Sequence, residues 1–212
     1  LPRYSRSEQK EDGRLKLASV FALCLPLLHA QLTMSKSFPG SVPAYSEVRI
    51  DADGKCEYRE DPKDDDPLKF QISSEDRQAM WDLTEKLGHF TRPLESGLKV
   101  ARMGDKTFRW EKNEVTFNYS EDEDAKALLD WYEKICETER AYIALETAAK
   151  YDKLGVEKAL LQLEISWDNK RIVAPQQMLP MLDRIVKNEG FMHMARNRAA
   201  DLADAMRGKG KK

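Results

Sequence analysis

Histidine is scarce in this chain, which has only His29, His89 and His193. None of them sits in an HExxH pattern, and GxSxG, CxxC and a phosphate-cradling glycine loop are absent too. The usual starting points for a metallohydrolase, a serine hydrolase, a dithiol enzyme or a nucleotide-dependent enzyme are therefore missing, and the sequence names no reaction. Apolar runs are short. The one conspicuous run, residues 17–28, has twelve residues, whereas a helix needs about 20 apolar residues to cross a bilayer. Neither sign of charge dominates: 35 Lys and Arg stand against 37 Asp and Glu, so no broad field attracts nucleic acid.

What is present begins with RLKLASVFALCLPLLHAQ, residues 14–31. A basic start (Arg14, Lys16), an uncharged run and a small residue at Ala30 make the three parts of a secretory signal peptide. Pro26 inside the run would interrupt a buried core helix. Bulky Leu23 before Cys24 does not fit a lipid-attachment site. A signal peptide with upstream residues (1–30) is expected, cleaved after Ala30. Its product would be exported, periplasmic or extracellular, with no stable membrane anchor. The remaining 182 residues carry a net charge of −4, and one-third of the whole chain is charged. Two cysteines remain, Cys56 and Cys136, and an oxidising compartment makes them a candidate disulfide.

Residues 31–45, QLTMSKSFPGSVPAY, read as an exposed linker rich in Ser, Pro and Gly. EVRIDADGKCEYR (47–59) predicts a hairpin turning at Asp53-Gly54. The acidic stretch 60–67 predicts a loop, followed by a short strand at 68–72. Ser73 caps a helix over 74–87, which Gly88 ends. A second hairpin is expected over 105–119 with its turn at Lys112-Asn113. Ser120 is then the expected cap of a helix whose first turn carries four carboxylates, residues 121–124, suited to the positive end of the helix dipole.

From residue 121 the pattern is helical. Leu128, Trp131, Ile135, Thr138, Tyr142, Leu145, Ala149, Asp152, Val156, Leu160, Leu163 and Trp167 recur at 3–4 spacing, along one long helix or two broken near 152–155. Further helices are predicted over 176–188, disturbed by Pro180, and over 191–206. The expected class is α+β: an antiparallel sheet from two hairpins and a short strand with helices on one face (46–137), followed by an all-helical bundle extension (138–206) and a basic tail (207–212).

Three constellations suggest metals, and each has a simpler reading. Asp51, Asp53, Gly54 and Glu57 resemble the start of a calcium loop, but Lys55 stands at the third acidic position and the hairpin turn explains Asp-Gly. The acidic run 61–66 reads as solvated. Met192-His193-Met194 offers soft donors, yet residues two apart on a helix point about 200° apart. At least one of the methionines is expected to fill core space. His89, after a helix-ending glycine, reads as structural. No catalytic, cofactor-binding or metal residue is assigned.

RIDADGKCEY with its D-x-D-G turn, the capped helix ending in LGHF (87–90) and the late hairpin entering an acidic helix start together resemble an uncharacterised family of exported bacterial α+β domains of unknown function. The resemblance covers about residues 47–137 and implies no active residues. The expected role is a non-catalytic binding or interaction module. Its partner would be another protein, or a second copy meeting through the helical extension, and not nucleic acid. An exported hydrolase with an unrecognised site is the alternative, favoured by a pocket joining His89 or His193 to a carboxylate and a hydroxyl. A cytoplasmic scaffold follows only if the leader is no signal.

Overall fold

The computed structural model describes residues 30–208, so the leader and most of the basic tail lie outside the described residues. Six antiparallel strands form one sheet: β1 (Gln31–Ser37), β2 (Tyr45–Asp51), β3 (Lys55–Arg59), β4 (Leu68–Gln71), β5 (Asp105–Trp110) and β6 (Asn113–Phe117). Their order is β4-β3-β2-β1-β5-β6. The expected linker is thereby corrected. Residues 31–37 form an interior strand, pairing with β2 on one side and β5 on the other. Leu32 and Met34 point to the core with no exposure at all.

Both expected hairpins form, the first turning at the expected Asp53-Gly54 and the second with a shifted turn. Asp51 and Lys55 flank three turn residues. The Gly54 N–H donates to Asp51 O at 2.9 Å, and Gly54 adopts φ 82°. That φ favours glycine, and a Cβ there would also displace the end of the Gln71 side chain, 2.7 Å from Nε2. In the second hairpin Trp110 pairs with Asn113. The turn is therefore Glu111-Lys112, one residue earlier than expected.

The strands alternate as a half-buried sheet should. Val48, Ile50, Cys56, Tyr58 and Phe108 face inward with Leu32 and Met34. The opposite face carries Lys69, Glu57, Arg49, Thr33, Arg109 and Glu114 along one register row, and none of the described helices packs on it. On the inner face lie α1 (Ser74–Lys86) and the first half of α2 (Glu123–Tyr151). Ser73 Oγ accepts the Asp76 N–H at 3.0 Å, as its cap position predicts. The cap of α2 is Asp122 instead of Ser120, because its carboxylate reaches the N–H groups of Asp124 and Ala125 at 3.0 and 3.2 Å. Ser120 Oγ accepts from Asp122 N one step earlier. A 3-10 turn, Gly88–Phe90, follows α1. There Phe90 reaches the core, its ring centroid 5.6 Å from that of Phe108.

A 29-residue helix is about 43 Å long, and α2 uses that length to serve two cores. Ala125, Leu128, Tyr132 and Ile135 pack on the sheet. Tyr132 OH donates to Ser46 O at 3.1 Å and stands 2.6 Å from Ser46 Oγ, fixing helix to strand. Leu145 and Ala148 belong to the second core, with α3 (Val156–Asp168), α4 (Leu179–Lys187) and α5 (His193–Met206). The boundary expected at 137/138 therefore falls inside one continuous helix. The break between α2 and α3 lies at 152–155, where Asp152 Oδ1 accepts the Gly155 N–H at 3.0 Å. Pro180 sits in the first turn of α4, where its missing N–H costs no helical bond. Arg207, expected in the basic tail, forms a two-oxygen ion pair with Asp183 at 2.6 and 2.7 Å. Among the described residues no helix is long and apolar enough to cross a membrane.

Candidate functional site

β1, β2 and β5 place two loops side by side. Ser37 at the end of β1 pairs with Tyr45 at the start of β2 and with Asp105 at the start of β5. Loop 38–44 and loop 91–104 therefore leave the same end of the sheet. They touch at Gly104, where a Cβ would come within 2.7 Å of Phe38 Cβ and 2.9 Å of Ser37 O. With φ at 91° as well, this position accepts only glycine without rearrangement.

Loop 38–44 is internally fastened. Phe38 N donates to Ala44 O at 2.8 Å, and Ser41 N to Phe38 O at 3.0 Å. Ser41 Oγ lies within donating distance of both Phe38 O and Pro43 O. The Val42-Pro43 bond is cis, and Val42 at the tip is fully exposed.

In the second loop seven consecutive residues, 97–103 (GLKVARM), are exposed and belong to no helix or strand. Leu98 and Met103 each show more than half of their surface, and Val100 shows 43%. Asn118, just past β6, fastens the segment at both ends. Its backbone N–H donates to Glu95 Oε2 at 2.6 Å, and its side-chain oxygen accepts the Met103 N–H at 2.9 Å. Its Nδ2 donates to Ala101 O at 3.3 Å. The Asn118 N–H holds the Glu95 carboxyl below its ordinary pKa. Buried Lys106 donates from Nζ to Asn118 O, and desolvation lowers its pKa. Arg102 is paired with Asp105 at 2.6 and 2.9 Å, whereas Lys99 makes no ion pair among the described residues. The result is a firmly held apolar edge with a spare positive charge. Such an edge can bind; it presents no nucleophile beside a base.

The residues singled out in the sequence lie elsewhere. Cys56 and Cys136 are buried free thiols. Cys56 Sγ lies 3.4 Å from Gly54 O. Burial raises both thiol pKa values, that of Cys136 to about 11, so neither is poised as a thiolate. The Asp51 carboxylate accepts from Gln31 Nε2 at 2.7 Å, and Asp53 pairs with Lys55 at 2.6 Å. In the acidic loop, Asp61 and Asp64 accept the backbone N–H groups of Lys63 and Asp66, both at 2.9 Å, in local turns. Among the described residues no three His, Cys, Asp or Glu side chains gather as a metal site. His89 packs 5.4 Å from the Trp110 ring, and His193 Nδ1 lies 3.2 Å from Asn197 Nδ2. Met192 and Met194 are both exposed. This corrects the expectation that one fills core space, because Phe191 and Ala195 take the inward positions.

A concavity of about 440 Å³ lies at the far end of the sheet, lined by Gln31, Arg49, Asp51, Lys55, Glu57 and Lys69 with Cys56 and Phe70. Its charges are of both signs. The loop site escaped the sequence reading because 91–103 has no period, and the hydrogen bonds of Asn118 and the Gly104 contact show that it is built. The chain matches no protein-family profile, no curated protein and no solved structure.

Proposed function

We propose that this is an exported, non-catalytic binding module that takes a protein partner at the loop pair 38–44 and 97–103. The observation carrying this reading is a run of exposed apolar side chains on a segment pinned at both ends. Leu98, Val100 and Met103 stay in water while Asn118, Glu95 and Gly104 hold the backbone in place. A pre-ordered apolar edge loses little conformational entropy on binding. Lys99 favours a partner segment that is apolar and acidic. A non-catalytic role is supported by where the largest pKa perturbations fall. Cys56, Tyr58 and Tyr132 are raised by desolvation in the packed first core, which holds each in its uncharged form. The export half of the reading rests on the leader sequence.

Selection of a displayed peptide library against the protein tests the site. Enriched peptides should be apolar and acidic. They should lose binding to a Leu98→Ser/Val100→Ser variant and keep it for Glu114→Gln on the bare sheet face. Peptides indifferent to the loop variant would remove the assignment.

A further inference from the structure

The outer face of α3 carries a self-complementary pattern. Val156, Leu160 and Leu163 point into the second core with no exposure. One flank is closed by Arg198 of α5, which pairs with Glu157 at 2.9 Å and with Glu164. At about 100° per residue, the face turned away from the core holds Lys158, Leu161, Gln162, Ile165 and Asp168. All five are exposed or nearly so, Leu161 by 40% and Ile165 by 45%. Lys158 and Asp168 enter no ion pair among the described residues. Leu154, just before the helix, extends the apolar stripe at 75% exposure.

Position 163 is the midpoint of both notable pairs on this face. Leu161 and Ile165 lie two residues either side of it, Lys158 and Asp168 five residues either side. An antiparallel copy of the helix, related by a two-fold axis through that midpoint, places Leu161 against Ile165 of the second copy. The same operation sets Lys158 against Asp168 of the second copy, and repeats each contact by symmetry. A two-fold interface requires such matching of a surface with itself. We propose that α3 pairs antiparallel with α3 of a second copy, an apolar centre of Leu161 and Ile165 being closed at each end by a Lys158–Asp168 ion pair. A helix of about 20 Å buries less than a standard interface, so the dimer is weak and concentration-dependent. This surface is separate from the loop site and does not rest on the reading given to it.

Sedimentation of the full chain over a concentration series, with charge-swapped variants, provides the test. The wild type should pass from monomer to dimer as concentration rises. Lys158→Asp alone, or Asp168→Lys alone, sets like charges together at both ends and should weaken association by about tenfold. The double swap Lys158→Asp/Asp168→Lys should restore it. Circular dichroism of each variant should match the wild type, since both residues are exposed. A wild type that stays monomeric, single swaps that associate normally, or a double swap that fails to restore association would each overturn the proposal.

Discussion

The Glu139 carboxyl accepts one hydrogen bond, from Gln177 Nε2 at 2.8 Å, and its other oxygen, Oε2, is buried with no partner. This contact lies where α2 passes from the first core to the second. Around it the segment between α3 and α4 is fastened to α2. Arg171 forks onto Glu137 at 2.8 and 2.9 Å and also reaches Asp130. Thr138 Oγ1 accepts the Val173 N–H at 2.9 Å. Glu139 is thus a titratable group in the seam joining the two halves of the molecule.

Desolvation raises the Glu139 pKa from 4.5 to about 7, with the Gln177 bond opposing the shift. A raised carboxyl binds more protons in the folded state than in the unfolded state between these two values. Its contribution to stability is therefore full below pH about 4.5, falls as pH rises and is gone above pH about 7. The ceiling on this effect is about 3 kcal/mol. Glu139→Gln, which keeps an acceptor for Gln177 and cannot ionise, should match the wild type near pH 4 and exceed it in stability at pH 8. Denaturant melts of both proteins at the two pH values measure this. Other carboxylates cancel in the difference, and a pH-independent difference would show that Glu139 ionises freely.

Asn118→Ala should release segment 97–103 without unfolding the sheet. The side chain supplies two bonds to the loop, to Met103 N and Ala101 O, and each contributes on the order of 1 kcal/mol. Trypsin cleavage after Lys99 and Arg102 should accelerate several-fold, while the global melting midpoint moves little. Unchanged cleavage kinetics would show that the backbone bond to Glu95 suffices alone.

Much of the architecture was legible in the sequence where alternation and turn chemistry agree. Val48, Ile50, Cys56 and Tyr58 announce β2 and β3, and Ser73 and Gly88 bracket α1. β1 was hidden because an interior strand here shows only two apolar residues, Leu32 and Met34, among Ser, Thr and Lys. Its outer side chains, Gln31, Thr33, Ser35 and Ser37, are all polar on a face that no described helix covers, so they read as linker composition. The loop site was illegible for the opposite reason. Leu98, Val100 and Met103 are apolar, and composition alone does not separate an exposed apolar residue from a buried one. Nor could a single Asn in TFNY announce three side-chain and backbone contacts to a loop 15 to 23 residues earlier.

The two cysteines should titrate as free thiols. Cys56 lies on β3 and Cys136 on α2, both buried, and both are raised by desolvation. The folded protein should react slowly with a thiol reagent near pH 8. Unfolded without reductant, the chain from residue 31 should release two equivalents. Zero equivalents would establish the disulfide that export makes available.

A chain begun at Gln31 should fold, and one begun at Tyr45 should not. Removing residues 31–44 would take out β1 and split the sheet into β4-β3-β2 and β5-β6, since β1 is the strand that pairs with both β2 and β5. It would also empty the core positions of Leu32 and Met34, each worth about 2 kcal/mol or more when deleted, and expose two new strand edges to aggregation. Far-ultraviolet circular dichroism and a thermal melt of the two proteins would separate the outcomes. The chain from Gln31 should melt cooperatively, while that from Tyr45 should be insoluble or lack a transition. Signal cleavage after Ala30 would leave β1 whole, and the intact mass of protein recovered from the periplasm of a bacterial host tests that boundary. A soluble, cooperative protein lacking residues 31–44 would mean the sheet can close without β1, and would return that stretch to the status of a linker.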